Sequence, residues 1–195
     1  MLMMTETEYR NAVDGLRVDD SVKAKLHEAY RKNPEMASHT VGMAQSFQNG
    51  DVKGMMQHSA DLKASVRKQV GGIMSTGDKN EVGDRATHQL LLEFLDFFKM
   101  IIELLEQLFY KFKDEFEKLA SKAPGVKQAE GVLKTMEHAI EDLKEMGGKL
   151  MNWMEHPVQT AESAGEGIAH GVEHLMGFNT EPEPPGSVPK APKPY

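Results

Sequence analysis

The residues with the clearest chemical potential are His170, Glu173 and His174, which match the pattern H-x-x-E-H. Two histidines four residues apart lie on one face of a helix, where they can share a metal ion. The glutamate between them can then act as a general base, as in a zinc metalloprotease. Glu166, one helical turn earlier, is a candidate third ligand.

The surroundings of this pair argue against catalysis. A catalytic zinc needs a third ligand held by a rigid scaffold, and the 21 residues after His174 are mostly a proline-rich segment. Gly165, Gly167 and Gly171 each weaken the helix that would carry the pair by about 1 kcal/mol relative to alanine. We therefore interpret His170 and His174 as solvent-facing and keep them as a candidate metal pair. We predict no enzyme activity, no cofactor and no catalytic residue.

Composition excludes several kinds of partner. The net charge is −7 and the isoelectric point is near 5.6, which argues against nucleic acid and against attraction to anionic lipid. The absence of cysteine excludes disulfides and thiolate chemistry. The first residues lack the basic and apolar regions of a secretory signal. This predicts a soluble cytoplasmic chain, and export by a signal-independent route stays open.

The most apolar stretch runs from Leu90 to Phe116 and contains six of the eight phenylalanines. Its polar residues recur every three or four positions, which is the period of one helix face. The remaining apolar arc is about 200° wide, whereas an ordinary surface helix has a stripe somewhat wider than 100°. Charges at every turn argue against a membrane span. We predict a long central helix over residues 84–122.

Several neighbouring helices, a protein partner, a second copy or a membrane surface could cover so wide an apolar face. We favour neighbouring helices, because interfacial helices tend to carry lysine and arginine on the polar face and this polar face is mainly acidic. If a protein partner covers part of the helix, the excess apolar face would contact it. The predicted partner-binding residues on that face are Leu91, Leu95, Phe98, Ile102 and Phe109.

Residues 1–83 predict four shorter helices, each preceded by a capping signal. An Asn-Gly-Asp turn between the third and fourth helices predicts an antiparallel hairpin. The capping residues are Thr5 with Glu8, one of Asp19 to Ser21, Asn33 before Pro34, and Asp51.

A sixth helix over residues 126–155 is expected to kink at Gly147-Gly148, as the fourth is expected to end or kink at Gly71-Gly72. A glycine-rich helix over 160–177 and a disordered proline-rich tail over 179–195 complete the chain. The predicted architecture is all-α: one irregular bundle of six or seven helices within residues 1–178, organised around the long apolar helix.

These features predict a non-enzymatic protein-interaction protein, either an adaptor or a small subunit of a larger assembly. Its 14 methionines suit an irregular core or, alternatively, an adaptable binding surface. The partner is either another protein or a second copy of this chain. The alternative is a protein of the bacterial effector or toxin type, which would associate with membranes through amphipathic helices.

Overall fold

The computed structural model describes residues 3–76, 81–120 and 126–155, and all regular structure within these ranges is α-helical. The six helices pack against one another in a single bundle, which confirms the predicted all-α class. They are α1 (Glu6–Asp14), α2 (Asp20–Lys32), α3 (Pro34–Gln48), α4 (Val52–Thr76), α5 (Glu81–Ala120) and α6 (Val126–Glu155).

Local capping residues set where α1 and α3 begin, as the sequence predicted. The Thr5 hydroxyl accepts a hydrogen bond from the backbone N–H of Glu8 at 3.2 Å. The side chain of Asn33 accepts one from the N–H of Met36, also at 3.2 Å, with Pro34 opening α3. Each cap satisfies an N–H group that has no partner within its own helix, and it is typically worth about 1 kcal/mol.

A tight turn at Gly50 joins α3 and α4 into the predicted hairpin. Gly50 has a φ of +72°, in the left-handed region that favours glycine. The N–H of Gly50 donates to the carbonyl of Phe47 at 3.1 Å, and that of Asp51 donates to Ser46 at 2.8 Å. The Asp51 carboxylate then accepts from the N–H of Gly54 at 2.9 Å. The segment from Asn49 to Asp51 thus ends α3 and begins α4.

The most enclosed helix of the bundle is α3, which contacts α1, α2, α4 and α5. Every residue from Met36 to Ala44 is buried. This stretch includes two hydroxyl side chains, Ser38 and Thr40, which donate to the carbonyls of Pro34 and Met36 at 2.7 Å each. The helix's own backbone therefore offsets the cost of burying those hydroxyls.

The long apolar helix is α5, which contacts α2, α3, α4 and α6. It extends over about 60 Å at 1.5 Å per residue, and its neighbours cover most of its broad apolar face. The predicted partner-binding residues Leu91, Leu95, Phe98, Ile102 and Phe109 are all buried. In this fold they are core residues, because neighbouring helices of the same chain occupy the face that was assigned to a partner.

Close packing, with ion pairs at the rim, holds α6 against α5 and α4. A Cβ added at Gly147 would lie 3.4 Å from the ring of Phe98, so the two helices approach closely there. Lys144 pairs with Glu106 on α5 at 2.8 Å, and α6 also pairs with Lys63 of α4 through Asp142 at 2.9 Å. Such exposed pairs each contribute about 0–1 kcal/mol, so apolar packing dominates.

Several predicted boundaries differ from the structure. Gly71-Gly72, where α4 was expected to end or kink, lies inside that helix, and Gly147-Gly148, where a kink was expected, lies inside α6, whose bounds are the predicted ones. The central helix α5 begins at Glu81, three residues before the predicted start at residue 84. The glycine-rich helix of 160–177 and the tail of 179–195 fall outside the described residues.

Two glycine substitutions should shift stability in opposite directions. Gly50→Ala forces a side chain into the left-handed region and should lower the free energy of unfolding by about 1–2 kcal/mol. A Cβ at Gly148 would meet nothing within 4 Å, so Gly148→Ala should raise it by up to about 1 kcal/mol. Urea unfolding followed by circular dichroism measures both changes. Equal effects of the two substitutions would contradict the turn geometry at Gly50.

Candidate functional site

The residues singled out in the sequence do not mark the sites that the structure presents. His170 and His174 lie outside the described residues, and the five residues predicted to meet a partner lie in the core. Two other features of the described helices stand out. One is a groove beside α5, and the other is a polar cluster between α3 and α4.

The groove lies where the end of α2, the end of α4 and the first part of α5 come together. Its volume is about 610 Å³. Leu90 is the most exposed apolar residue of the groove, with 46% of its surface accessible. The described lining residues are Lys32, Asn33, Ile73, Leu90, Glu93, Phe94, Asp96, Phe97 and Met100.

The groove exists because the apolar arc of α5 is wider than its neighbours can cover. Leu91 and Phe98 face the core and are buried. The adjacent flank of α5 carries apolar side chains that are exposed or half-buried. They are Leu90, Phe97 and Met100. The excess apolar surface inferred from the sequence is therefore real at this end of α5, but it belongs to different residues from those predicted.

Charged groups give the groove an acidic rim. Glu93 and Asp96 line it from α5, and Lys32 lines it from α2. The ammonium nitrogen of Lys32 lies 3.4 Å from a carboxylate oxygen of Glu28, on its own helix. Because Glu28 already shares that positive charge, the two carboxylates of α5 set the sign among the described charged residues of the rim.

The polar cluster consists of His39 on α3 with His58 and Asp61 on α4. One potential metal-binding atom from each residue lies within 4.8 Å of the corresponding atoms of the other two. Within the described part of the chain, no other group of three or more histidine and acidic side chains comes together in this way.

The hairpin geometry brings these three side chains together. His39 and Asp61 each lie 11 residues from Gly50, and Gly42 and His58 each lie eight residues from it. Residues equidistant from a tight antiparallel turn lie at the same level along the two helices. A Cβ at Gly42 would come within 2.5 Å of Cε1 of His58, so the imidazole occupies space that only glycine leaves open.

Hydrogen bonding leaves two polar atoms of the cluster unpartnered. Nδ1 of His58 and Oδ2 of Asp61 are both buried, and neither has a hydrogen-bond partner in the structure. The other carboxylate oxygen of Asp61 accepts a hydrogen bond from Nε2 of Gln57 at 3.1 Å. That bond fixes one side of the carboxylate and leaves the buried oxygen available to a ligand.

His39 is the most deeply buried member, with 7% of its surface exposed. Burial lowers the pKa of its imidazole, because desolvation disfavours the charged form. The neighbouring carboxylates of Asp61 and Glu35 act in the opposite direction and offset part of this effect. The neutral form, which carries a lone pair that can bind a metal or accept a hydrogen bond, is therefore favoured.

Reading the histidines one at a time along the sequence missed this cluster. His39 and His58 are 19 residues apart and match no metal-binding motif. The signal was present in the predicted hairpin: once Gly50 is taken as its turn, residues 39 and 61 fall at one level and residues 42 and 58 at another. Antiparallel register, rather than motif spacing, identifies the site.

Comparison with known proteins yields no relative. No protein-family model matches the chain, and neither the curated proteins nor the solved structures include one that is significantly similar to it. In the ranges that the structure describes, none of the helices combines the length and apolarity needed to cross a bilayer. The groove and the cluster are therefore the features of the molecule that bear on its function.

The buried position of His39 makes stability depend on pH. Because its pKa is lowered from 6.5 in the folded protein, the unfolded chain binds a proton more readily. The stabilisation should be complete above pH 6.5 and should be lost as the pH falls through the lower, folded-state pKa. Urea unfolding of chelator-treated protein from pH 7.5 to 5.5 should show this loss, and His39→Gln should reduce it.

The matched control for this measurement is His138→Gln, which removes an exposed histidine on α6. It should retain the pH dependence of the wild type. An unchanged pH dependence in His39→Gln would show that burial of this imidazole does not contribute.

Proposed function

We propose that the protein is a non-enzymatic interaction protein, an adaptor or a small subunit of a larger assembly. Its partner presents an amphipathic helix that binds the groove between α2, α4 and α5. The observation that carries this proposal is the row of exposed and half-buried apolar side chains along the first part of α5, typified by Leu90. Apolar surface of this kind, rimmed by charged groups, is typical of protein-binding sites.

The length of the groove along α5 suits a helix. The lining residues of α5 run from Leu90 to Met100, which corresponds to about 15 Å of helix at 1.5 Å per residue. This length matches two to three turns of a bound helix. Recognition of this type places apolar anchors at positions i, i+3, i+4 and i+7 of the partner into an apolar groove.

The rim charges specify the partner further. Glu93 and Asp96 lie beside the apolar side chains, and the whole chain carries a net charge of −7. A helix with lysine or arginine beside its apolar anchors would complement this rim, which favours fast and selective association. The same charges disfavour an anionic lipid surface, so we favour a protein partner over the membrane-associating alternative, which stays a prediction.

Polar substitutions of residues that line the groove should weaken partner binding. Leu90→Gln with Phe97→Gln replaces two lining residues by polar side chains that suit a helix. Proteins that the wild-type chain retains from an extract of its native source should be retained at least about tenfold less by this double variant, since buried apolar anchors are typically worth 2 kcal/mol or more. Quantitative mass spectrometry of the retained proteins measures the difference.

The matched control is Met56→Gln with Tyr110→Gln, which alters two large apolar residues that are 62% and 56% exposed outside the groove. This variant should retain the same proteins as the wild type. Cross-linking through Lys32 at the rim should identify the bound segment as a basic amphipathic helix. Retention that is equal in both variants, or a cross-link to a second copy of the chain or to its own residues after 155, would overturn the proposed partner. Flotation with liposomes that depends on Leu90 would favour the membrane alternative instead.

A further inference from the structure

We infer that His39, His58 and Asp61 bind a single zinc ion between α3 and α4. None of these three residues is among the described residues that line the groove. The site is also distinct from the His170–His174 pair, which lies beyond the described residues.

The donor types select zinc over calcium and magnesium. Calcium and magnesium bind mainly oxygen ligands, whereas two of the three donors here are imidazole nitrogens. Zinc is commonly bound by two or three histidines together with a carboxylate. Three protein ligands leave the fourth tetrahedral position to a water molecule or to another ligand.

The spacing suits an ion that draws the side chains together. Donor atoms about 2.0–2.2 Å from a tetrahedral zinc ion lie roughly 3.4 Å from one another. The donors of His39, His58 and Asp61 lie within 4.8 Å of one another. Contraction by up to about 1.4 Å, through rotation of the side chains on two fixed helices, would complete the coordination geometry.

The two unpartnered atoms point to a ligand independently of the spacing. A buried polar atom without a hydrogen bond destabilises the fold, and this cluster contains two, Nδ1 of His58 and Oδ2 of Asp61. A cation between them would satisfy both at once. The carboxylate would supply the negative charge that a dication requires in a partly buried site.

Neighbouring residues hold the ligands in position. Gln57 donates to the outer oxygen of Asp61 at 3.1 Å, in the way that outer-shell partners orient metal-bound carboxylates. Gly42 leaves space for the ring of His58 against the backbone of α3, since a Cβ there would lie 2.5–2.9 Å from three ring atoms. Gln57 and Gly42 are therefore positioning residues for the site.

The purified full-length chain, freed of metal by a chelator, tests the inference by titration with zinc. Isothermal calorimetry and elemental analysis should show one equivalent bound. Zinc at 100 times its dissociation constant should raise the midpoint of thermal unfolding by roughly 5–10 °C. His58→Gln and Asp61→Asn should each weaken binding by more than about 100-fold, and Gly42→Ala and Gln57→Ala by about 10–100-fold.

Two control variants separate this site from the other histidines. His138→Gln, and the double variant His170→Gln with His174→Gln, should bind zinc as the wild type does. Cobalt(II) provides a measurement on the wild-type chain that does not depend on any variant folding. Nuclear magnetic resonance should show paramagnetic broadening of the ring protons of His39 and His58, and not of His138.

Three outcomes of the zinc titration would overturn the inference. They are no binding at micromolar zinc, binding that survives His58→Gln and Asp61→Asn, and binding that is lost only when His170 and His174 are replaced. Cobalt broadening that spares His39 and His58 would have the same meaning.

Discussion

The close approach of α3 and α4 is the constraint on which the rest of the structure depends. Gly50 reverses the chain in a left-handed conformation, and Gly42 and Gly54 have no Cβ where His58 and Ser46 lie against them. Any larger side chain at either position would separate the two helices or displace the side chain opposite. Since α3 is also buried by α1, α2 and α5, its position relative to α4 determines where the other helices can pack.

The wide apolar face of α5 follows from this arrangement. With α3 surrounded by other helices, α5 closes one side of the hairpin, and α6 then covers the flank of α5 that α3 and α4 leave free. Gly147 permits α6 to approach Phe98 closely. No described helix covers the side of α5 near Leu90 and Phe97 to the same extent, and the groove remains there. The groove is thus a consequence of how an apolar arc of about 200° is divided among four neighbouring helices.

The sequence predicted the starts of α1, α3 and α4 well, because these helix ends are set by local contacts. Thr5, Asn33 and the Asn-Gly-Asp turn each act on backbone groups within a few residues, and the structure confirms all three. The enclosure of α3 was not predictable in the same way. Ser38, His39 and Thr40 make its sequence look half-polar, yet the hydroxyls donate to the preceding turn and the histidine joins residues of α4. The exposed flank of α5 was likewise not predictable from local sequence, because it depends on packing against helices that are distant in sequence.

Asn33 connects the two candidate sites through the backbone of the hairpin. It caps α3, it lines the groove, and it exchanges hydrogen bonds at 2.5 and 3.1 Å with Gln69 of α4. His39 lies less than two turns further along the same helix. Any movement of α3 along α4 would therefore change the wall of the groove and the separation of His39 from His58 together. The Asn33–Gln69 hydrogen bonds and the turn at Gly50 hold the present register, so the wall of the groove and the geometry of the cluster depend on the same contacts between α3 and α4.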